Sequence, residues 1–143
     1  MPQETLSYKD SFLKNVNGKL YAKFSTQGNG DPTYKVIAID GKEHRYYTIQ
    51  LFLASPNKDS IQLVEYCINH PDFEDDPLSL SDDPEHDFRQ YIMSYGDVWV
   101  DVKVYMNGRG YSQRAMLSQM LDVGHADHTS ETIVDAIARI KAN

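Results

Sequence analysis

Scarcity carries the first information in this chain. Cysteine occurs once, as Cys67, so no disulfide can form within the chain, and a reducing, cytoplasmic setting is expected. Cys67 lies in the apolar run SIQLVEYCIN (residues 60–69) with no Lys or Arg beside it in sequence to lower its pKa. It therefore reads as a small buried hydrophobe and not as a reactive thiol. No apolar stretch approaches the ~20 residues needed to cross a bilayer, and the opening MPQETLSYKD has neither the basic nor the apolar region of a leader. A cytoplasmic chain without a membrane span is the expectation.

Catalytic signatures are equally scarce. There is no GxSxG, no Walker loop, no HExxH and no dinucleotide fingerprint; Gly28-Asn-Gly30 runs into Asp31-Pro32 and not into a helix, which removes its meaning as a phosphate cradle. The segment Gly124-His125-Ala-Asp127-His128 offers two imidazoles and a carboxylate without the spacing of a zinc site, and it reads as a connecting loop. An enzyme is not expected, and neither is a cofactor or a metal.

Positive charge is short overall, but the deficit is local. The formal charge is −7, and eight of the 21 acids fall between Asp72 and Asp87, where there is no Lys or Arg; elsewhere 13 acids face 14 bases. A solvated, irregular connection between two strands accounts for that stretch, since no calcium-loop spacing is present. Clustered Lys and Arg that would mark a nucleic-acid partner are not visible along the sequence, so no nucleic acid is expected.

What is abundant is period-two alternation, the pattern of half-buried strands. In VWVDVKVYM (residues 98–106), Val98, Val100, Val102 and Val104 face one way and Trp99, Asp101, Lys103 and Tyr105 the other. Tyr47, Ile49, Leu51 and Leu53 alternate with Tyr46, Thr48, Gln50 and Phe52; Val64, Tyr66 and Ile68 alternate with Glu65, Cys67 and Asn69. Weaker strands are suggested by Leu20/Ala22/Phe24, Val36–Ile39 and Phe88/Gln90/Ile92. The dipeptides Asn17-Gly18, Asn29-Gly30, Asp40-Gly41 and Asn107-Gly108 supply the positive φ of tight turns. The segment Ser112–Val123 suits a helix or a strand, with strand preferred.

The C-terminal segment reads as a helix over about 129–142. Thr129 or Ser130 can cap it, Glu131 sits in its first turn, Ile133, Ile137 and Ile140 recur at helical spacing, and Arg139 and Lys141 meet the negative end of the dipole. The whole chain, 143 residues, is expected to be one domain: an all-β antiparallel sandwich over about 8–123 closed by this helix.

Three blocks, in order, resemble the YEATS domain, in particular its prokaryotic form. HRYYTIQLFL (44–53) is similar to the family's strand that opens with a His and an aromatic. LVEYCINHPDF (63–73) is similar to V-x-Y-x-L-H-P-T-F. SYGDVWV (94–100), followed by a long alternating strand, is similar to G-W-G-E-F-x-I. The match covers about residues 43–123.

The resemblance implies an Ig-like sandwich whose loops at one end hold a ligand, which for eukaryotic relatives is acylated lysine gripped between aromatic rings. Carried over by position, it implies a ligand site made of His70, Asp72, Phe73, Tyr95 and Gly96, with Phe73 and Tyr95 as rings and Tyr95 and Gly96 offering backbone N–H groups to a ligand carbonyl. Asp72 stands where the family has a hydroxyl, Ser94 where it has a glycine, and Lys42 where eukaryotic readers have a further aromatic. The expected partner is a protein or peptide. The competing reading is an adaptor that pairs through its C-terminal helix or a sheet edge.

Overall fold

The computed structural model describes Phe12 and residues 14–69, 78–126 and 130–143. Among the described residues, eight strands follow one another along the chain: β1 (Lys19–Phe24), β2 (Tyr34–Ile39), β3 (Lys42–Ala54), β4 (Ile61–Asn69), β5 (Leu78–Ser81), β6 (Gln90–Ser94), β7 (Trp99–Met106) and β8 (Arg109–Met116). Two helices follow, α1 (Leu117–Gly124) and α2 (Glu131–Ala142).

The strands form two antiparallel sheets, so the architecture is the expected β-sandwich with a C-terminal helix. In the first sheet β3 is the axis. Ile49 pairs with both Phe24 and Ile92, and Tyr47 with both Tyr34 and Ser94. A strand residue has one neighbour on each side, so β1 and β2 lie end to end along one side of β3 and β6 takes the other. The second sheet runs β5-β4-β7-β8.

Alternation places the core. Tyr47, Ile49, Leu51 and Leu53 from β3 meet Val64, Tyr66 and Ile68 from β4 and Val100, Val102 and Val104 from β7, all buried in one cluster. Val98 joins them at 5% exposure, whereas Trp99 is 43% exposed, which fixes the register of this strand as read from its sequence. At Asp40-Gly41 and Asn107-Gly108 both residues have positive φ, as a two-residue hairpin turn requires. Asn17-Gly18 instead follows a helical turn that seats Phe12 and Val16 in the core. Gly30 lies in the turn closed by the Thr26 and Pro32 bridge.

The ambiguous segment resolves into both of its readings. β8 runs through Met116, and α1 takes over at Leu117, where Asp97 Oδ1 accepts the Ser118 N–H at 2.9 Å. The preference for strand throughout Ser112–Val123 is therefore corrected: Leu117, Met120 and Leu121 are buried at helical spacing. α1 ends against the free side of β1, so closely that a Cβ on Gly124 would lie 1.9 Å from the Ala22 carbonyl oxygen. α2 buries Ile133, Ala136 and Ile140 and leaves Val134 outside.

Two further expectations change. Of the acidic stretch, residues 78–87 are described, and they are not irregular throughout: β5 pairs with β4, and Pro84–His86 forms a 3-10 turn. Backbone pairing needs no apolar side chains, so a four-residue strand can sit inside an acidic run. Cys67 is half-exposed on the outer face of β4, with the parity of Glu65. Its neighbours Val64, Tyr66 and Ile68 take the inner face.

Candidate functional site

Tyr95 follows the last residue of β6, and the pairing of β6 with β3 decides what it meets. Ser94 lies opposite Tyr47 and points into the core, so the next residue faces outward beside Tyr46. The Tyr95 ring is half-buried there, 4.9 Å from the Tyr46 ring and 4.5 Å from the His44 imidazole, tilted against both. Three aromatic side chains thus meet on the outside of the sandwich, two carried by β3 and one by the turn that follows its paired neighbour β6.

Gly96 does not take the part implied for it. Its N–H donates to Ser94 Oγ at 3.3 Å, and Ser94 Oγ in turn donates to the Gly96 carbonyl at 2.8 Å. Gly96 is also buried against Asn143, whose backbone carbon would lie 2.9 Å from an added Cβ. Ser94 closes the turn on itself and engages the Gly96 N–H, the donor that the resemblance assigns to a ligand carbonyl. His70, Asp72 and Phe73 lie outside the described residues. β4, which leads into them, ends with Asn69 opposite Trp99, four residues after Tyr95.

His44 and Tyr46 were not among the expected ligand residues. The alternation of β3 put them on its outer face, but their meeting with Tyr95 depends on the pairing with β6, which no local pattern carries.

The register gives the whole outer face of the first sheet an unusual composition. β1 contributes Lys19, Tyr21 and Lys23; β2 contributes Lys35, Ile37 and Ile39; β6 contributes Tyr91 and Met93. From β3 come Lys42, His44, Tyr46, Thr48, Gln50, Phe52 and Ala54. None of these strand positions is Asp or Glu, in a chain with 21 acids and 14 Lys and Arg. Asp87 sits at the margin, where it accepts the Tyr21 hydroxyl. Tyr21 and Phe52 stack at 4.7 Å, and Tyr91 and Ile37 are exposed.

A separate cleft of about 320 Å³ opens on the other side of the β2 and β3 hairpin, where Tyr34, Arg45 and Tyr47 meet Thr132 and Asp135 of α2. Arg45 lies over the Tyr34 ring at 4.5 Å and 3.9 Å from Asp135, which also accepts from Arg139 Nε at 2.8 Å. The Tyr47 hydroxyl is buried at the cleft without a hydrogen-bond partner among the described residues.

Groups held away from their ordinary pKa point to structure more than to chemistry. Burial pushes up the Tyr66 hydroxyl, with Tyr21 and Asp87 adding to it, and burial also raises Tyr21, helped by its bond to Asp87. Cys67 is raised by desolvation and by Asp101 and Glu65, which keeps it a thiol at neutral pH. His125, from the segment with two imidazoles, accepts the Phe24 N–H through Nε2 at 3.1 Å and stacks on the Phe24 ring. Asp127 and His128 lie outside the described residues. No group of His, Cys, Asp and Glu with metal-holding geometry occurs among the described residues, and none of their helices is long and apolar enough to cross a membrane.

The chain matches no model of a known protein family, and no curated protein matches it.

Proposed function

We propose that this chain is a non-enzymatic binding module that holds a flat, neutral group, of which an acylated lysine side chain is the leading example, against Tyr95. The observation that carries this reading is the position of the Tyr95 ring. It lies outside the core, beside His44 and Tyr46, on a surface held by strand pairing. A neutral amide has little charge to trade, so its recognition rests on ring contact and on hydrogen bonds that replace those lost to water. The rings are present. With the Gly96 N–H engaged by Ser94, the polar contacts fall to the His44 imidazole and the polar groups around it. The resemblance to the YEATS domain supports the same end of the sandwich.

The test is calorimetric or NMR titration with acetylated, crotonylated and unmodified lysine peptides against the parent and Tyr95→Ala. Binding that requires the acyl group and disappears in a variant that still melts like the parent is the expected result. A parent that responds to no acylated peptide at millimolar concentration overturns it.

The adaptor reading keeps one specific observation in its favour. β2 is exposed along nearly its whole length, with Val36 at 53%, and among the described strands it pairs with β3 alone. An added strand from a partner would find open backbone there. α2 is the weaker candidate, because its apolar side is spent on the chain's own core. Val36→Pro, which removes one N–H donor from the ladder, separates the readings: an adaptor loses its partner, and the module keeps its acyl preference.

A further inference from the structure

We infer that the partner engaged at Tyr95 is an acidic polypeptide segment, recognised through the ammonium groups that surround the aromatic cluster on the outer face of the first sheet. The inference rests on the binding reading above and adds the chemistry of the residues flanking the inserted side chain.

Four lysines share this face, and strand geometry places two of them close to the cluster. Lys35 is the direct cross-strand partner of Tyr46, one interstrand spacing of about 5 Å away, and about 10 Å from the neighbouring strand position on the far side of β3. Lys42 precedes His44 by two residues on β3, about 7 Å along the strand. Lys19 and Lys23 extend the same sign along β1. All four are exposed. A peptide that places one side chain against Tyr95 therefore lays its neighbouring residues over ammonium groups, with no carboxylate at the strand positions to receive a basic residue.

This face also explains why the charge of the chain misleads. Summed over the sequence, acids prevail; sorted by the register of one sheet, the outer surface beside Tyr95 is positive. Opposite charges on exposed surfaces contribute modestly per pair, yet they raise the encounter rate and set the choice between partners.

The experiment uses three peptides of equal length carrying the same acyl-lysine, with flanks of Asp and Glu, of Ser and Gly, or of Lys and Arg, and their three unacylated counterparts. Titrated into the parent at low salt, the acidic acylated peptide is expected to bind at least about tenfold more tightly than the basic one, as two or three exposed pairs supply. The difference should shrink severalfold as ionic strength rises from about 0.05 M to about 0.5 M. In Lys35→Glu/Lys42→Glu the order should reverse while the melting temperature holds, both side chains being exposed. Acyl preference without flank preference overturns this inference and leaves the binding reading standing. Flank preference without acyl preference overturns the acyl reading and supports the acidic partner. Tighter binding of a single-stranded oligonucleotide than of any peptide, abolished by the same double variant, overturns the inference in favour of nucleic acid.

Discussion

The Tyr66 hydroxyl donates to the carbonyl of Phe88 at 2.8 Å inside the sandwich, tying the centre of β4 to a residue of positive φ that a bulky side chain rarely adopts. Asp87 beside it is also left-handed, and its carbonyl accepts from Leu53 N–H. Tyr66→Phe removes the donor and leaves the buried carbonyl unpaired, so it should cost about 1–3 kcal/mol. Tyr47→Phe removes a buried hydroxyl that has no partner among the described residues, so it should change stability by less than about 0.5 kcal/mol or raise it. Urea unfolding of the two variants checks the contrast, and equal losses would refute it.

Two raised phenols set the alkaline limit. Tyr66 and Tyr21 are both raised in the folded chain, whereas in the unfolded chain they release protons near pH 10. Folding is therefore fully supported below about pH 10 and loses support as the pH climbs past it, because only the unfolded state gains by ionising. Urea midpoints from about pH 8 to about pH 11.5 should fall above pH 10, and less steeply in Tyr66→Phe. A parent midpoint flat across that range would contradict the assignment.

Gly124 is needed for contact and Gly28 is not. A Cβ on Gly124 would collide with the Ala22 carbonyl oxygen, whereas around Gly28 there is nothing within 4 Å. Gly124→Ala should cost about 2–3 kcal/mol by prising α1 off β1. Gly28→Ala should leave the melting temperature nearly unchanged, and thermal denaturation of the pair decides.

His125 should prove structural. His125→Ala withdraws the acceptor from Phe24 N–H and the ring from the Phe24 face, at an expected cost of about 1–2 kcal/mol. Adding zinc to the parent should not raise its melting temperature, as selective binding to the folded state would demand. A zinc-dependent rise lost in His125→Ala would reverse this assignment.

Legibility followed the range of the interaction. Val98 to Val104, Tyr47 to Leu53, Asp40-Gly41 and Asn107-Gly108 could be read because period-two burial and positive φ are local requirements, and local sequence states them. β5 could not, since Leu78–Ser81 is held by backbone bonds to β4 and sits among acids. Ser112–Val123 defeated a single reading because a strand and a helix meet there with no turn residue between them. At the site, Tyr95 was reached by resemblance, while its neighbours His44 and Tyr46 and the commitment of the Gly96 N–H to Ser94 depend on contacts that alternation alone leaves undetermined. Cys67 sits in an apolar run, but its parity with Glu65 turns it outward, so local hydrophobicity alone points it the wrong way.

The bond from Phe24 to His125 spans 101 residues of chain, which gives the protein a vulnerable interval during synthesis. β1 and β3 can pair soon after they leave the ribosome, but among the described residues the other side of β1 is met by α1 and His125, which arrive much later. At about 5–20 residues per second that side waits for about 5–20 s. A released chain truncated before α1 should therefore aggregate or recruit a chaperone through β1 more readily than the full-length chain.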